Sequence, residues 1–365
     1  MHDNLNQIIS NIIDADGSMN LGEFISTALC HPEYGYYMKG APFGAGGDFV
    51  TAPEISQMFG EVIGAWVIDI WFQMGKPETL NLIECGPGRG TLMSDIMRVG
   101  KSVDGFVDAI NIQLVEASGS LQVMQKDALK DYVVSWHSEI SEINKGAPSI
   151  LIGNEFLDAL PIEQLMRNEN GWQKRVIVLD ENNGFKFTWA EADHKLKQLL
   201  PSETVSNKIY EVSPARNLFM SSCIDLLSAS KGVALFIDYG YIKSHHGDTL
   251  QAVRKHEYTN VLEDIGLSDI TSHIDFEALS RHVCELGGHV SPIQTQGNFL
   301  KALGIEQRLI ALKNTAMKTN DTGMAANIIK GMDASVDRLI GNDQMGELFK
   351  VICVKNSEDI TPAGF

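Results

Sequence analysis

The stretch that decides the fold reads LIECGPGRGTL and spans residues 82–92. Its apolar start predicts a buried strand, and the glycines that follow predict a tight turn into a helix that begins near Thr91. Glycine permits positive φ angles and lets the backbone approach a ligand with no Cβ in the way. Because open α/β sheets bind ligands at the carboxyl ends of their strands, we predict that this turn is a binding loop.

Short apolar runs alternate with helical patterns on both sides of this loop. The β-type runs include TLNLIECG (79–86), INIQLVEAS (110–118), SILIGNEF (149–156) and KGVALFIDYG (231–240). Parallel strands are buried on both faces and therefore read as continuous apolar segments. The alternation predicts the α/β class, with a Rossmann-like, doubly wound and mostly parallel sheet.

The same patterns divide the chain into four parts. Asn170-Gly171 and Asn183-Gly184 are typical turns of β-hairpins, so they predict an insertion after the run 149–156. The predicted parts are an N-terminal helical cap and lid segment at 1–59, a cofactor-binding core at 60–160 that continues at 205–240 and 286–365, a β-hairpin insertion at 161–204, and a substrate-side loop and helix region at 241–285.

The composition excludes several classes of protein. The 365 residues are 44% hydrophobic, so we expect a protein with a sizeable globular core. The formal net charge is −18, so we expect the protein to repel nucleic acid and anionic membranes. No apolar run reaches the roughly 18 residues of a membrane span. The five cysteines form no C-x-x-C pair, which favours a reducing compartment. The first residues lack the features of a secretory or transit segment, so we predict a cytoplasmic protein. The negative net charge favours a cationic partner.

The spacing of the glycine loop favours one class of ligand. The pattern is G-x-G-x-G, and Thr91 occupies the last position of the dinucleotide fingerprint, which disfavours a pyrophosphate. A ligand with a carboxylate tail, a ribose and a base fits better, because the tail can bind the amides at a helix N-terminus. Glu116 follows the next strand, where an acidic residue hydrogen-bonds ribose hydroxyls. Glu84 is a candidate for binding an amino group, and a solvated strand-end carboxylate is the alternative.

Seven blocks in one order carry a resemblance to a known family. They are HPEYGYY (31–37), GDFVTAPEIS (47–56), ECGPGRGTL (84–92), NEFLDALP (154–161), EVSP (211–214), DYG (238–240) and HIDF (273–276). The chain resembles the MidA-like S-adenosylmethionine-dependent methyltransferases, which include bacterial members and the mitochondrial complex I assembly factor that methylates arginine. The resemblance implies S-adenosyl-L-methionine as cofactor, and we assign its binding to Glu84, Gly86, Pro87, Gly88, Gly90, Thr91, Glu116 and Asn154.

The resemblance also implies an acceptor and partners. By analogy, the acceptor is an arginine on a subunit of a respiratory NADH dehydrogenase of the complex I type, with symmetric dimethylation as a candidate product. A homodimer is a further candidate. Eukaryotic relatives are mitochondrial, whereas this chain is expected in the cytoplasm.

Methyl transfer to a guanidinium requires acidic side chains. A guanidinium has a pKa above about 12, so it arrives protonated, and carboxylates can orient its plane by bidentate hydrogen bonds. We predict that Glu155 grips the acceptor and that Asp158, three residues later, shares a helical face with it. Glu54, together with Asp48, is predicted to form a lid and to complete the catalytic set, while Asp238 supports the pocket. The alternatives are a helix-capping role for residues 154 and 155, and ordinary turn chemistry in the lid segment.

A polar loop contains His245, His246, Asp248 and His256, and their spacing matches no helical metal motif. We therefore predict that these residues are solvated and that the protein has no metal site. Three other functions stay open at this point: a non-catalytic complex I assembly or interaction protein that retains a ligand pocket, a small-molecule methyltransferase, and a nucleotide-linked oxidoreductase.

Overall fold

The computed structural model describes residues 2–39, 50–318 and 322–365. The helices, numbered in chain order, are α1 (His2–Asp16), α2 (Leu21–Cys30), α3 (Ala52–Ile55), α4 (Gln57–Gln73), α5 (Thr91–Gly100), α6 (Phe106–Ala109), α7 (Gly119–Ala128), α8 (His194–Lys197), α9 (Pro214–Ser228), α10 (Phe276–Glu285), α11 (Gln296–Ala302), α12 (Ile305–Ala316), α13 (Thr322–Ile340) and α14 (Met345–Leu348).

The strands are numbered in the same way. They are β1 (Met19–Asn20), β2 (Leu80–Cys85), β3 (Ile110–Val115), β4 (Val134–His137), β5 (Ser149–Asn154), β6 (Glu163–Asn168), β7 (Gly171–Leu179), β8 (Phe185–Glu191), β9 (Ile209–Val212), β10 (Gly232–Tyr241), β11 (Gln251–Arg254), β12 (Glu257–Thr259), β13 (Asp269–Thr271), β14 (Ile274–Asp275), β15 (His289–Val290), β16 (Gln294–Thr295) and β17 (Phe349–Lys355).

The central sheet follows the order β15-β17-β10-β5-β2-β3-β4, with β14 beside β10 and β16 beside β17. The strands from β10 to β4 pair in parallel, and β17 joins β10 in the antiparallel direction. Every residue of β2 and of β5 is buried, as their continuous apolar runs predict. The predicted α/β class and the mostly parallel, Rossmann-like sheet are confirmed.

Helices cover both faces of this sheet. Leu82 of β2 and Ile150 of β5 belong to a core with α4 and α5, whereas Ile83 and Leu151 point to the opposite core with α9 and α10. The alternation follows from the strand, in which successive side chains face opposite sides. The sheet is therefore doubly wound, and its strand ends are fixed from both faces. Within the described ranges, no helix has the length and hydropathy needed to cross a membrane.

The insertion is a second, antiparallel sheet. The strands β6, β7 and β8 form consecutive hairpins, and the predicted turns Asn170-Gly171 and Asn183-Gly184 lie at or between their ends. The strand β9 also pairs with β6, so the sheet extends beyond the predicted boundary at residue 204. The predicted limit is wrong there because β9 is short and follows a polar stretch that gave no strand signal of its own.

The N-terminal cap packs on this second sheet. Its strand β1 pairs with β7, and apolar residues of α1 and α2 form one core with Ile177 and with Ile270 of β13. The region predicted at 241–285 divides in two. The strands β11 to β13 pack near the cap, whereas Phe276, Leu279 and Val283 of α10 belong to the main core.

Candidate functional site

A cavity of about 510 Å³ opens where β2, β3 and β5 end. The glycine loop, the residues after β3 and β4, the end of β5, α3 and one side of α9 line it. Among the described lining residues, Arg89 is the one Lys or Arg, whereas five carry a carboxyl group. These acidic residues are Glu54, Glu84, Glu116, Glu139 and Glu155. The cavity is therefore suited to cationic ligands.

The glycine loop forms the floor of the cavity. Gly86, Gly88 and Gly90 all take positive φ angles, of 65°, 51° and 82°, and α5 begins directly after them. A Cβ added to Gly86 would lie 3.0 Å from the ring of Phe156, so a side chain at this position would collide with the far wall. Glycine at position 86 therefore keeps the turn clear of Phe156.

Glu84 lies beneath the loop and lines the cavity. It is buried, and burial raises its pKa to about 8, although a hydrogen bond from the amide of Met93 opposes this shift. Its Oε2 atom has no hydrogen-bond partner among the described residues. A buried carboxyl oxygen without a partner is costly, so a ligand amino group at this place would be stabilised.

Glu116 is held in one orientation. Its Oε1 accepts a hydrogen bond from the amide of Ser118 at 2.8 Å, and its Oε2 accepts one from Nε2 of Gln125 at 3.1 Å. Gln125 also donates to the carbonyl of Gly88 at 2.8 Å, while Trp136 donates to the Oε1 atom of Gln125. Burial raises the pKa of Glu116. Gln125 thus joins the acidic residue to the glycine loop, a contact that no local motif predicts.

The short helix α3 connects the two sides of the cavity. Glu54 accepts a hydrogen bond from the hydroxyl of Thr91 and lies 3.6 Å from the guanidinium of Arg89. The amide of Ala52 donates to Oε1 of Glu155 at 2.9 Å. Asp48, the other residue predicted for a lid, lies outside the described residues.

Glu155 projects from the end of β5 with a left-handed φ of 51°. Its Oε1 accepts hydrogen bonds from Ala52 and, at 3.1 Å, from Nδ2 of Asn154. Burial and the nearby Asp158 raise the pKa of Glu155 to about 7, although the contacts with Ala52, Asn154 and Arg338 oppose the shift. Glu155 and Asn154 both line the cavity.

Asp158 does not share a helical face with Glu155, because residues 155–160 form turns rather than a helix. Its Oδ2 accepts a hydrogen bond from the hydroxyl of Tyr239 at 2.6 Å, and its Oδ1 accepts one from the amide of Ala159. Burial raises the pKa of Asp158. The predicted shared face is wrong, and so is the alternative of a helix cap at residues 154 and 155.

Arg216 and Tyr239 bind the loop formed by residues 155–160, and no sequence motif predicts these contacts. The side chain of Arg216 is buried and donates to the carbonyl oxygens of Leu157, Ser272 and His273 at 2.9 to 3.1 Å. Tyr239 holds Asp158, as described above. Their sequence signals were only the blocks EVSP and DYG, which mark the neighbourhood but not the contacts.

The described parts of the chain contain no cluster of three or more His, Cys, Asp or Glu residues arranged to bind a metal ion. In the polar loop, Asp248 forms an ion pair with Arg175 at 3.0 Å.

Comparisons with known proteins agree with this geometry. A family model described as "Putative S-adenosyl-L-methionine-dependent methyltransferase" matches residues 62–293. The Danio rerio "Protein arginine methyltransferase NDUFAF7, mitochondrial" is 34% identical and the match covers 97% of this chain and 87% of that protein. The Homo sapiens protein of the same name is 29% identical, with 92% and 80% covered.

A crystal structure from Burkholderia thailandensis, bound to S-adenosyl-homocysteine, is 25% identical and superimposes with a TM-score of 0.83 over 97% of this chain and 92% of that one. The match of the family model, the relatives and the shared fold confirm the resemblance seen in the sequence. The cofactor is S-adenosyl-L-methionine. The chain belongs to the family of S-adenosyl-L-methionine-dependent methyltransferases.

Proposed function

We propose that this chain transfers a methyl group from S-adenosyl-L-methionine to the guanidinium group of an arginine in a protein. The observation that carries the proposal is that Glu155, a carboxylate, lines the same cavity as the glycine loop. Carboxylates bind guanidinium groups through charge-assisted hydrogen bonds. The relatives above are named protein arginine methyltransferases, which supports the same acceptor.

The residues present fit the cofactor. Gly86, Gly88 and Gly90 take positive φ angles that residues with a Cβ rarely adopt, and the buried Oε2 of Glu84 has no partner among the described residues. We assign the carboxylate tail to the turn of Gly86, Pro87, Gly88, Gly90 and Thr91, the amino group to Glu84 and Asn154, and the ribose to Glu116. When bound, the cofactor supplies a methyl group on a sulfonium, an activated leaving group. The protein contributes binding and alignment, and alignment alone can supply about 7–11 kcal/mol of a barrier.

In this mechanism Glu155 grips the acceptor. A guanidinium that approaches lowers the pKa of Glu155, so the carboxylate ionises and forms a charge-assisted hydrogen bond. The hydrogen bonds from Ala52 and Asn154 occupy Oε1, and Oε2 is assigned to the acceptor. Charge is thereby concentrated on the nitrogens bound by the protein, and the lone pair of the remaining nitrogen forms the new bond to the methyl group. That nitrogen then releases one proton to water, so the product is again a singly charged guanidinium.

The two other acidic residues of the predicted catalytic set receive different roles. Glu54 joins α3 to the glycine loop, which we now call the cofactor loop, through its contacts with Thr91 and Arg89. We assign it to closing the cofactor side. Asp158 faces Tyr239, so we assign it to supporting the loop that carries Glu155.

We further propose that the acceptor is a subunit of a complex I-type NADH dehydrogenase and that the product is symmetric dimethylarginine. The family resemblance supports both statements. The relatives' names include the word mitochondrial, and the cytoplasmic location and the homodimer stay predictions for this chain.

Transfer of label tests the proposal. Purified protein is incubated with methyl-labelled S-adenosyl-L-methionine and an extract of the cells from which the chain comes, and mass spectrometry locates the label. We expect methylarginine in one protein and at least about a hundredfold slower labelling with the Glu155→Gln variant. Label in a small molecule would identify a small-molecule methyltransferase. Binding of S-adenosyl-homocysteine without any transfer would identify a non-catalytic assembly protein.

A further inference from the structure

The carboxylate of Asp238 is bound by the loop that carries Glu155. Asp238 lies near the end of β10, is 1% exposed, and accepts three backbone hydrogen bonds on its Oδ2 atom. The donors are the amides of Phe156 at 3.1 Å, Leu157 at 2.9 Å and Asp158 at 3.2 Å. Three consecutive amides that converge on one oxygen form an anion-binding nest, here filled by a side chain of the neighbouring strand.

This nest explains an unfavourable backbone angle. Glu155 has a φ of 51°, a conformation that costs energy for any residue with a Cβ and persists only when the surroundings enforce it. The amide of Glu155 donates to the carbonyl of Ile237 at 2.9 Å, so the chain is fixed on both sides of the turn. The strand β10 therefore dictates where the carboxylate of Glu155 lies.

The two residues after Asp238 also make contacts that fix neighbouring segments. The hydroxyl of Tyr239 holds the side chain of Asp158 at 2.6 Å. Gly240 permits the close approach of β14, since a Cβ there would lie 2.2 Å from the carbonyl oxygen of Ile274. Asp238 and Tyr239 of the block DYG thus bind residues 155–158, which we call the acceptor loop.

We propose that Asp238 and Tyr239 are positioning residues that hold Glu155 in its acceptor-binding orientation. The inference rests on the proposed function, in which Glu155 contacts the arginine. Neither residue touches the acceptor. Asp238 fixes the backbone of the loop, and Tyr239 fixes its far end through Asp158.

Replacement of Asp238 by Asn tests the first half of this proposal. In the wild-type protein the backbone amide of Tyr239 donates to Oδ1 of Asp238 at 2.9 Å. The Asn side chain keeps one oxygen acceptor for the nest, but its NH₂ group replaces an acceptor of Asp238. We expect kcat for transfer to the acceptor labelled by the wild-type protein to fall by about a hundredfold, the scale of a 1 Å displacement. The KM for S-adenosyl-L-methionine and the Kd for S-adenosyl-homocysteine should stay within about twofold, because the cofactor loop is untouched. Amide exchange of residues 156–158 should accelerate.

Glu211 offers a matched control. Its Oε1 also accepts three N–H donors, from Gln164, Thr249 and Leu250, and it is not among the described residues that line the main cavity. Glu211→Gln should lower thermal stability and leave kcat and the exchange of residues 156–158 unchanged. Equal losses of kcat in both variants would reduce Asp238 to a general stabilising residue, and unchanged kcat in Asp238→Asn would exclude the positioning role.

Tyr239→Phe keeps the proposal testable if Asp238→Asn does not fold. It removes one hydroxyl, and we expect kcat to fall by about tenfold at unchanged cofactor affinity. Tyr210→Phe is the control, because its buried hydroxyl accepts a hydrogen bond from Val205 in the insertion. Unchanged kcat in Tyr239→Phe would contradict the role of Tyr239. If the wild-type protein methylates no arginine, the proposed function fails instead, while exchange at residues 156–158 still reports on the nest.

Discussion

The two sides of the cavity share one left-handed φ angle, which they adopt for different reasons. Gly88 in the cofactor loop and Glu155 in the acceptor loop have the same φ of 51°. In the first case the residue is glycine, which adopts this angle at little cost. In the second case a side chain is needed, and the strain is offset by hydrogen bonds from other segments.

The two loops are fixed by residues at different distances along the sequence. The cofactor loop takes its shape from consecutive residues, with glycines that adopt the turn at little cost. The acceptor loop takes its shape from Asp238 and Arg216, which are distant in sequence. The helix α3 links the sides, because Glu54 holds the first loop while the amide of Ala52 holds Glu155.

The largest effect is expected when a side chain is placed in the cofactor loop. Gly88→Val puts a β-branched residue at a left-handed position and fills the cradle. We expect calorimetry to detect no binding of S-adenosyl-homocysteine, which means a Kd raised by more than about a thousandfold. Gly119→Ala is the control, since a Cβ there meets nothing within 4 Å and affinity should persist. Normal affinity of Gly88→Val would show that the loop does not hold the cofactor.

A change on the acceptor side should separate binding from transfer. Glu155→Gln retains an oxygen for the amide of Ala52 but loses the charge that grips a guanidinium. We expect kcat to fall by about 10²–10³, with the Kd for S-adenosyl-homocysteine unchanged. Radiolabel transfer and calorimetry measure the two quantities.

Glu163→Gln is the matched control for this change. Burial raises the pKa of Glu163 to about 7 as well, and its Oε1 accepts a hydrogen bond from the amide of Gly22 at the start of α2. Its replacement should leave transfer intact. Full turnover of Glu155→Gln would remove Glu155 from the mechanism.

The two sides should also respond separately to pH. Burial raises the pKa of Glu155 to about 7 and that of Glu84 to about 8, and each carboxyl binds a cation only when ionised. Below its pKa the neutral form dominates, so kcat/KM for the acceptor at saturating cofactor should rise about tenfold per unit up to pH 7 and then level off. Affinity for S-adenosyl-homocysteine should rise up to pH 8 as Glu84 ionises. A transfer profile that is flat from pH 5.5 to 8 would contradict the role of Glu155.

The contrast between the two sides also sets what sequence can predict. The doubly wound sheet, the glycine loop and the position of Glu116 follow from patterns within short segments, because burial and turn chemistry act locally. The prediction of a shared helical face for Glu155 and Asp158 was wrong because the backbone there forms a nest around Asp238 rather than a helix. Local spacing does not reveal a partner 80 residues away. The end of the insertion was missed for the same reason, since β9 is a strand only through its pairing with β6.

The smallest expected effect tests whether the shape of the cofactor loop depends only on residues within its motif. Gln125 lies in α7, yet its amide donates both to Gly88 and to Glu116. Gln125→Met keeps the size of the side chain and removes these hydrogen bonds, each worth about 0.5–1.5 kcal/mol. We expect the Kd for S-adenosyl-homocysteine to rise by about tenfold with little change in kcat, measured by calorimetry and label transfer. An unchanged Kd would mean that the glycines alone fix the loop, whereas a loss as large as that of Gly88→Val would mean that this side, too, depends on contacts distant in sequence.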